Sequence, residues 1–173
     1  MRDRMNRIKV VNDASDLVPI LRAVDTDVKK TVFQDVAQTW LTGKQVQEKY
    51  GDEGLEALQF FEKMKLVETK WQTGQNEKGQ AVPEKAYHAF YGSFHINASS
   101  PINEISDVLA VAMMLETKYK AIEEKLFKMV GADGMFAGDV ADEMKITQTT
   151  LKSLVKRSGR LDFRGHRIIR FEE

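Results

Sequence analysis

The sequence predicts a mainly α chain with small β-hairpin wings, an α+β fold in which two compact modules flank one long helix. Three observations lead there. Apolar residues recur at steps of three and four over most of the chain. Strand-like sequence gathers around glycine-bearing turns in two places, near Trp71 and near Gly165. No proline or glycine interrupts the residues between Pro101 and Gly131.

The 173 residues can bury one core or divide into two small ones. A composition of 42% hydrophobic and 30% charged residues is that of a folded globular protein. The chain has no cysteine, which excludes disulfides, thiolate metal sites, iron–sulfur clusters and cysteine nucleophiles, and fits a reducing compartment. The longest apolar run, Val108 to Leu115, is far short of the roughly 20 residues that span a bilayer. No signal-peptide stretch follows the N-terminal arginines. The expectation is a cytoplasmic protein with no membrane partner.

In chain order, Leu17, Ile20, Leu21 and Val24 follow helical spacing, and Val28, Val32, Val36 and Trp40 mark a second core helix from about Asp27. Thr42 is placed as the N-cap of a short helix that breaks at Gly51, and Asp52 as the cap of a longer helix to about Met64. Two helices around a tight turn form a helix-turn-helix, with Leu55, Leu58 and Phe61 or Phe60 inward. Leu66–Trp71 then reads as a strand, Gln72–Gln80 as a hairpin loop, and Tyr87 to Ile96 as the return. Helices followed by such a hairpin make a winged helix-turn-helix. Both tryptophans, Trp40 and Trp71, are expected in its core.

After Ser100-Pro101, Ile105, Val108, Ala112, Leu115, Tyr119, Ile122, Leu126 and Met129 alternate steps of three and four, the spacing of a coiled-coil seam. They are assigned to a homodimer contact on one long dimerising helix. Packing of that helix inside its own chain is the alternative. Beyond Gly134, Met135–Met144 and Gln148–Arg157 form a second helix-turn-helix with Thr147 as N-cap. Residues 160–171 read as two short strands turning near Gly165, completing a second small winged-helix-like module. The expected domains are therefore 1–97, the linking and dimerising helix 98–131, and the basic module 132–173.

Leu58-Gln59-Phe60-Phe61-Glu62-Lys63-Met64-Lys65-Leu66-Val67-Glu68 and Pro83-Glu84-Lys85-Ala86-Tyr87 carry a family likeness. Over about residues 15–97 the chain resembles the ArsR-type winged-helix transcriptional regulators, in particular archaeal-like members. The first segment matches the end of that family's recognition helix and its step into the wing, and the second its return strand. The resemblance implies a winged-helix regulator that dimerises through terminal helices. The family's cysteine-rich metal-sensing box is absent.

Net charge is zero but unevenly spread. Residues 101–143 carry 4 basic against 9 acidic side chains, whereas Met144 to Phe171 carries 8 against 1. Gln148, Thr149, Lys152, Lys156, Arg157, Arg164 and Arg167 are thus the first candidates for contact with double-stranded DNA: amides and hydroxyls can bond base edges, and cations neutralise phosphates. Lys44, Lys70, Lys78 and Lys85 are the candidates in the first module, whose recognition helix opens with Asp52, Glu53 and Glu56. Those carboxylates repel phosphate, so a protein-docking role for the winged helices stays open beside DNA binding. His88, His95 and His166 lack catalytic or metal-ligand spacing, and there is no phosphate loop or dinucleotide fingerprint. The chain is read as a regulator without metal or cofactor rather than an enzyme; an unidentified small-molecule effector is kept among its partners.

Overall fold

The computed structural model describes residues 7–171. They form two compact units: residues 7–10 with 23–95, and residues 11–22 with 96–171. Three segments were expected along the chain; the structure has no separate middle one, because both helices of that region belong to the second unit. Both units are mixed α+β with small sheets. Among the described residues no helix is long and apolar enough to cross a membrane.

The first unit holds helix α2 (Asp27–Gln38), strand β2 (Leu41–Thr42), helices α3 (Gly43–Tyr50) and α4 (Asp52–Lys63), and strands β3 (Val67–Gln75) and β4 (Ala81–Ala89). β2, β4 and β3 lie in that order in an antiparallel sheet, with Val67 opposite Ala89 and Gln75 opposite Ala81. Its core joins Val32, Val36, Val46, Leu58, Phe61 and Leu66. Local chemistry sets the helix ends. The Thr42 hydroxyl accepts from the Gln45 N–H while the Gln45 amide oxygen accepts from the Thr42 N–H, a capping box at the start of α3. Gly51, at φ 72°, then ends α3 in a conformation that disfavours any side chain. The hairpin turn is narrower than expected, because β3 runs on to Gln75 and the Asn76 side chain accepts from the N–H groups of Lys78 and Gln80. The expected return strand is two: β4, and β5 (Ser93–Ile96), which pairs with β1 (Ile8–Val11) at the edge of the unit.

The second unit begins with a 3-10 turn, Ala14–Asp16, and helix α1 (Leu17–Ala23). It continues with α5 (Ile102–Met113), α6 (Glu116–Val130), β6 (Met135–Phe136), α7 (Ala137–Met144), α8 (Gln148–Arg157), β7 (Leu161–Arg164) and β8 (Arg167–Arg170). From α6 onward the order helix, strand, helix, helix, strand, strand repeats that of the first unit, and β6, β8 and β7 form the sheet in that order.

The long helix expected after Pro101 is broken. Met114 and Leu115 are extended, with ψ of 136° and 142°, and separate α5 from α6. The assigned seam divides accordingly. Val108 and Ala112 are buried with Ala14 and Val18, and Ile105 packs on that cluster. Tyr119 and Leu126 are buried in the main core with Val140, Leu151, Leu154, Leu161 and Ile168, and Ile122 and Met129 pack against it. Leu115, at the break, is 76% exposed. The three-four spacing is thus that of two helices each covering a core of their own chain: burial repeats at the same period whichever surface does the burying. Leu21 and Val24, expected inward, are each 42% exposed.

Candidate nucleic-acid interface

In the first unit, α3 and α4 meet closely at Gly54, where a Cβ would come within 2.8 Å of both Tyr50 Cβ and Val46 Cγ1. That approach turns Asp52, Glu53, Glu56 and Gln59 to solvent along α4. Lys44 stands exposed on the first turn of α3. The β3–β4 ribbon carries Lys78 at its tip, and Lys70 is exposed with its ammonium 4.2 Å from the Trp40 ring centroid. Lys85 differs: it is half-buried and paired with Glu62. Trp71 is 70% exposed, opposite Lys85 on the ribbon, and not in the core. Its place in an otherwise polar run, Lys70-Trp71-Gln72-Thr73, was the available signal that this strand leaves the core.

Below these elements, Asp35 receives hydrogen bonds from the Tyr50 hydroxyl and, at 3.0 Å, from the Lys49 ammonium. The Tyr50 hydrogen bond, aided by Lys49, holds the Asp35 carboxyl below the usual carboxylate value. This pair borders an open cleft of about 260 Å³ that Leu41 and Val46 also line. His88 is engaged elsewhere, its Nδ1 2.8 Å from the Ala89 carbonyl oxygen and its ring beside Trp40.

In the second unit, Thr147 caps α8 as expected, its hydroxyl accepting from the Thr150 N–H at 3.1 Å. Gln148 is exposed and Thr149 half-buried. The basic residues of α8, however, face other parts of the same unit. Lys152 pairs with Asp13, and Lys156 pairs with Asp16 and donates to the Ser15 hydroxyl at 2.8 Å. Partial burial raises the Asp13 carboxyl, but hydrogen bonds from Lys152 and Ser15 outweigh it and hold the group well below the carboxylate range. Arg157 is buried, with 2% of its side chain exposed. It donates at 2.8 Å to the carbonyls of Val111 and of Met114, and at 2.9 Å to Glu116. These three cations, expected on an open DNA-facing surface, are instead paired with the 3-10 turn and the end of α5. The hairpin cations remain outside: Arg164 is exposed, and Arg167, also exposed, donates to the backbone carbonyls of Asp133 and Gly134.

A family model, ArsR transcriptional regulator, matches residues 11–172. The chain belongs to the ArsR family. The match takes in both units, well beyond residues 15–97, the part that carries the resemblance in its motifs. No curated protein sequence matches the chain. As an ArsR-family member the protein is a transcriptional regulator, from a family of regulators rather than enzymes. Regulators of this family bind DNA and usually dimerise.

Proposed function

We propose that this regulator carries two winged helix-turn-helix modules and binds double-stranded DNA as a homodimer, with the first unit supplying the contact to the duplex. The observation that carries the reading is the β3–β4 ribbon. It presents Lys70, Trp71 and Lys78 to solvent, while Lys44 stands exposed on α3. A two-stranded ribbon with exposed cations and an aromatic ring suits phosphate contact and groove insertion. The outer face of α4, with Asp52, Glu53 and Glu56, adds little phosphate attraction; Gln59 is its hydrogen-bonding side chain for base edges.

The dimer is assigned to α5. Ile102 and Met113 are about 80% exposed, Leu109 is 39% exposed, and Ser106 completes the stripe. This stripe has no charge. In antiparallel pairing with a second copy it complements itself, Ile102 against Met113 and Leu109 over the small Ser106, as a two-fold interface requires.

Binding of the full chain to duplexes selected from a random pool, measured against salt, tests the reading. Lys70→Ala with Lys78→Ala is expected to flatten the log–log salt slope by about two units, roughly 0.9 per phosphate contact. A full chain with no salt-dependent affinity for any duplex overturns it. That outcome would favour a protein-docking regulator, the reading that the acidic α4 face supports.

A further inference from the structure

A basic surface of the second unit, apart from the hairpin arginines, lies on α6. Taken by segment, residues 101–143 are acidic, but the fold redistributes those charges. Glu116 is bound by Arg22 and Arg157, each at 2.9 Å. Glu123 is buried, accepting from the Ser158 hydroxyl at 2.6 Å and from Tyr119. Beside Glu116, which is exposed but paired with both arginines, α6 presents Lys118, Lys120, Lys125 and Lys128 to solvent, with Glu124 half-buried among them.

Two arginines from the following segments extend this face. Arg160 donates to Glu124 at 2.6 Å, and its guanidinium lies 3.9 Å from the Phe127 ring centroid. Arg170 lies 4.0 Å from the same ring and donates to the Phe127 carbonyl through Nε and Nη2. Stacking and carbonyl bonding fix both guanidiniums before any ligand arrives, so less side-chain entropy remains to be lost on binding an anion. The Glu124 carboxylate is itself held low chiefly by Arg160 and further by Lys128 and Arg170, while Lys118, Lys120 and Lys125 stand exposed on the same helix. In the same unit Lys152 and Lys156 of α8 are neutralised by Asp13 and Asp16.

We infer that the outer face of α6, with Arg160 and Arg170 beside it, is a second phosphate-binding surface for duplex DNA, and that α8 is not the contact helix of this unit. Row spacing supports this partner. Lys118 and Lys125 lie two turns apart, near 10 Å at 1.5 Å per residue, and Lys128 follows on the next turn. A row of cations along a helix neutralises successive phosphates and reads no sequence, which suits a clamp added to a sequence-reading module. The inference rests on the DNA-binding reading above.

The test compares full-length variants on one duplex over a range of salt. Lys118→Ala, Lys125→Ala and Lys128→Ala together change exposed side chains alone, and circular dichroism checks that the fold is kept. This variant is expected to flatten the slope by two to three units, about 0.9 per lost phosphate contact. Lys152→Ala with Lys156→Ala is expected to leave the slope unchanged. A triple variant with the wild-type slope overturns the inference while the DNA-binding reading stands. So does a triple variant that loses retention on anionic vesicles but keeps its DNA slope, since the face then serves a lipid surface. Absence of DNA binding by the wild-type chain overturns both.

Discussion

Arg157 and Glu116 are 41 residues apart in sequence and joined by a 2.9 Å ion pair that fixes where α5 ends. The same guanidinium takes the carbonyls of Val111 and Met114, which a continuous helix would have bonded to N–H groups four residues on. Arg22 adds a second bond to Glu116 and one to the Ala112 carbonyl. Where the helix stops, a buried cation from α8 donates to its terminal carbonyls, a task more often done by the N–H groups of a glycine-containing turn.

Arg157→Ala should therefore destabilise the second unit by about 2 kcal/mol, since it leaves the Met114 carbonyl without its donor and the Val111 carbonyl with only the 3.3 Å bond from the Met114 N–H, an unpaired buried carbonyl costing roughly 1–3 kcal/mol. Glu116, 53% exposed, can be solvated and adds little. Arg157→Lys should recover only part of the loss, because one ammonium cannot reach all three acceptors in a fork. Urea denaturation followed by circular dichroism, with hydrogen exchange in α5 and α6, measures this. A change below 1 kcal/mol would mean that the break at Met114 does not depend on Arg157.

The two faces of the 102–130 region make opposite predictions. Ile102→Glu with Met113→Glu should shift sedimentation toward monomer with little change in unfolding midpoint, as both side chains are about 80% exposed. Leu126→Ala, in the main core, should instead cost about 2–5 kcal/mol of stability and leave the subunit count unchanged. A dimer that survives the double substitution at unchanged concentration dependence would move the interface off α5.

Acid should weaken the first unit through Asp35. Its carboxyl is depressed by the Tyr50 hydroxyl and then by Lys49. A depressed folded value means that the ionised group stabilises the folded state fully above the unfolded value near 3.8, and that this stabilisation fades as pH falls below it. Tyr50→Phe should cost about 2 kcal/mol at pH 7, the scale of a hydrogen bond to a charged group, and progressively less below pH 4. Both tryptophans, Trp40 and Trp71, belong to the first unit, so their fluorescence follows its unfolding. An equal penalty at pH 7 and pH 3 would show that Asp35 is not the group involved.

Much of the local structure is readable from residues a few positions apart. Thr42 with Gln45, Gly51, and Thr147 mark the helix ends because each cap is completed within four residues by the chain's own amides. The strands around Gly165 and the ribbon after Leu66 follow equally from turn residues and β-formers. Periodicity identified the buried faces of the 102–130 region, since Val108, Ala112, Tyr119 and Leu126 are all buried.

Periodicity carries no record of what lies against a buried face, so a seam between chains and a core within one chain look alike. Charge is subject to the same limit. The basic run after Met144 counted Lys152, Lys156 and Arg157 as open, yet their partners Asp13, Asp16 and Val111 lie 139, 140 and 46 residues away. The acidic middle concealed the lysine face of α6 because Glu116 is paired with Arg157, 41 residues on, and Glu123 is buried against Ser158, 35 residues on. From its sequence this protein takes its caps, turns, helix faces and family; its folding assigns each charge a partner or leaves it in water, because an ion pair depends on distance in space, which the order of residues along the chain does not specify.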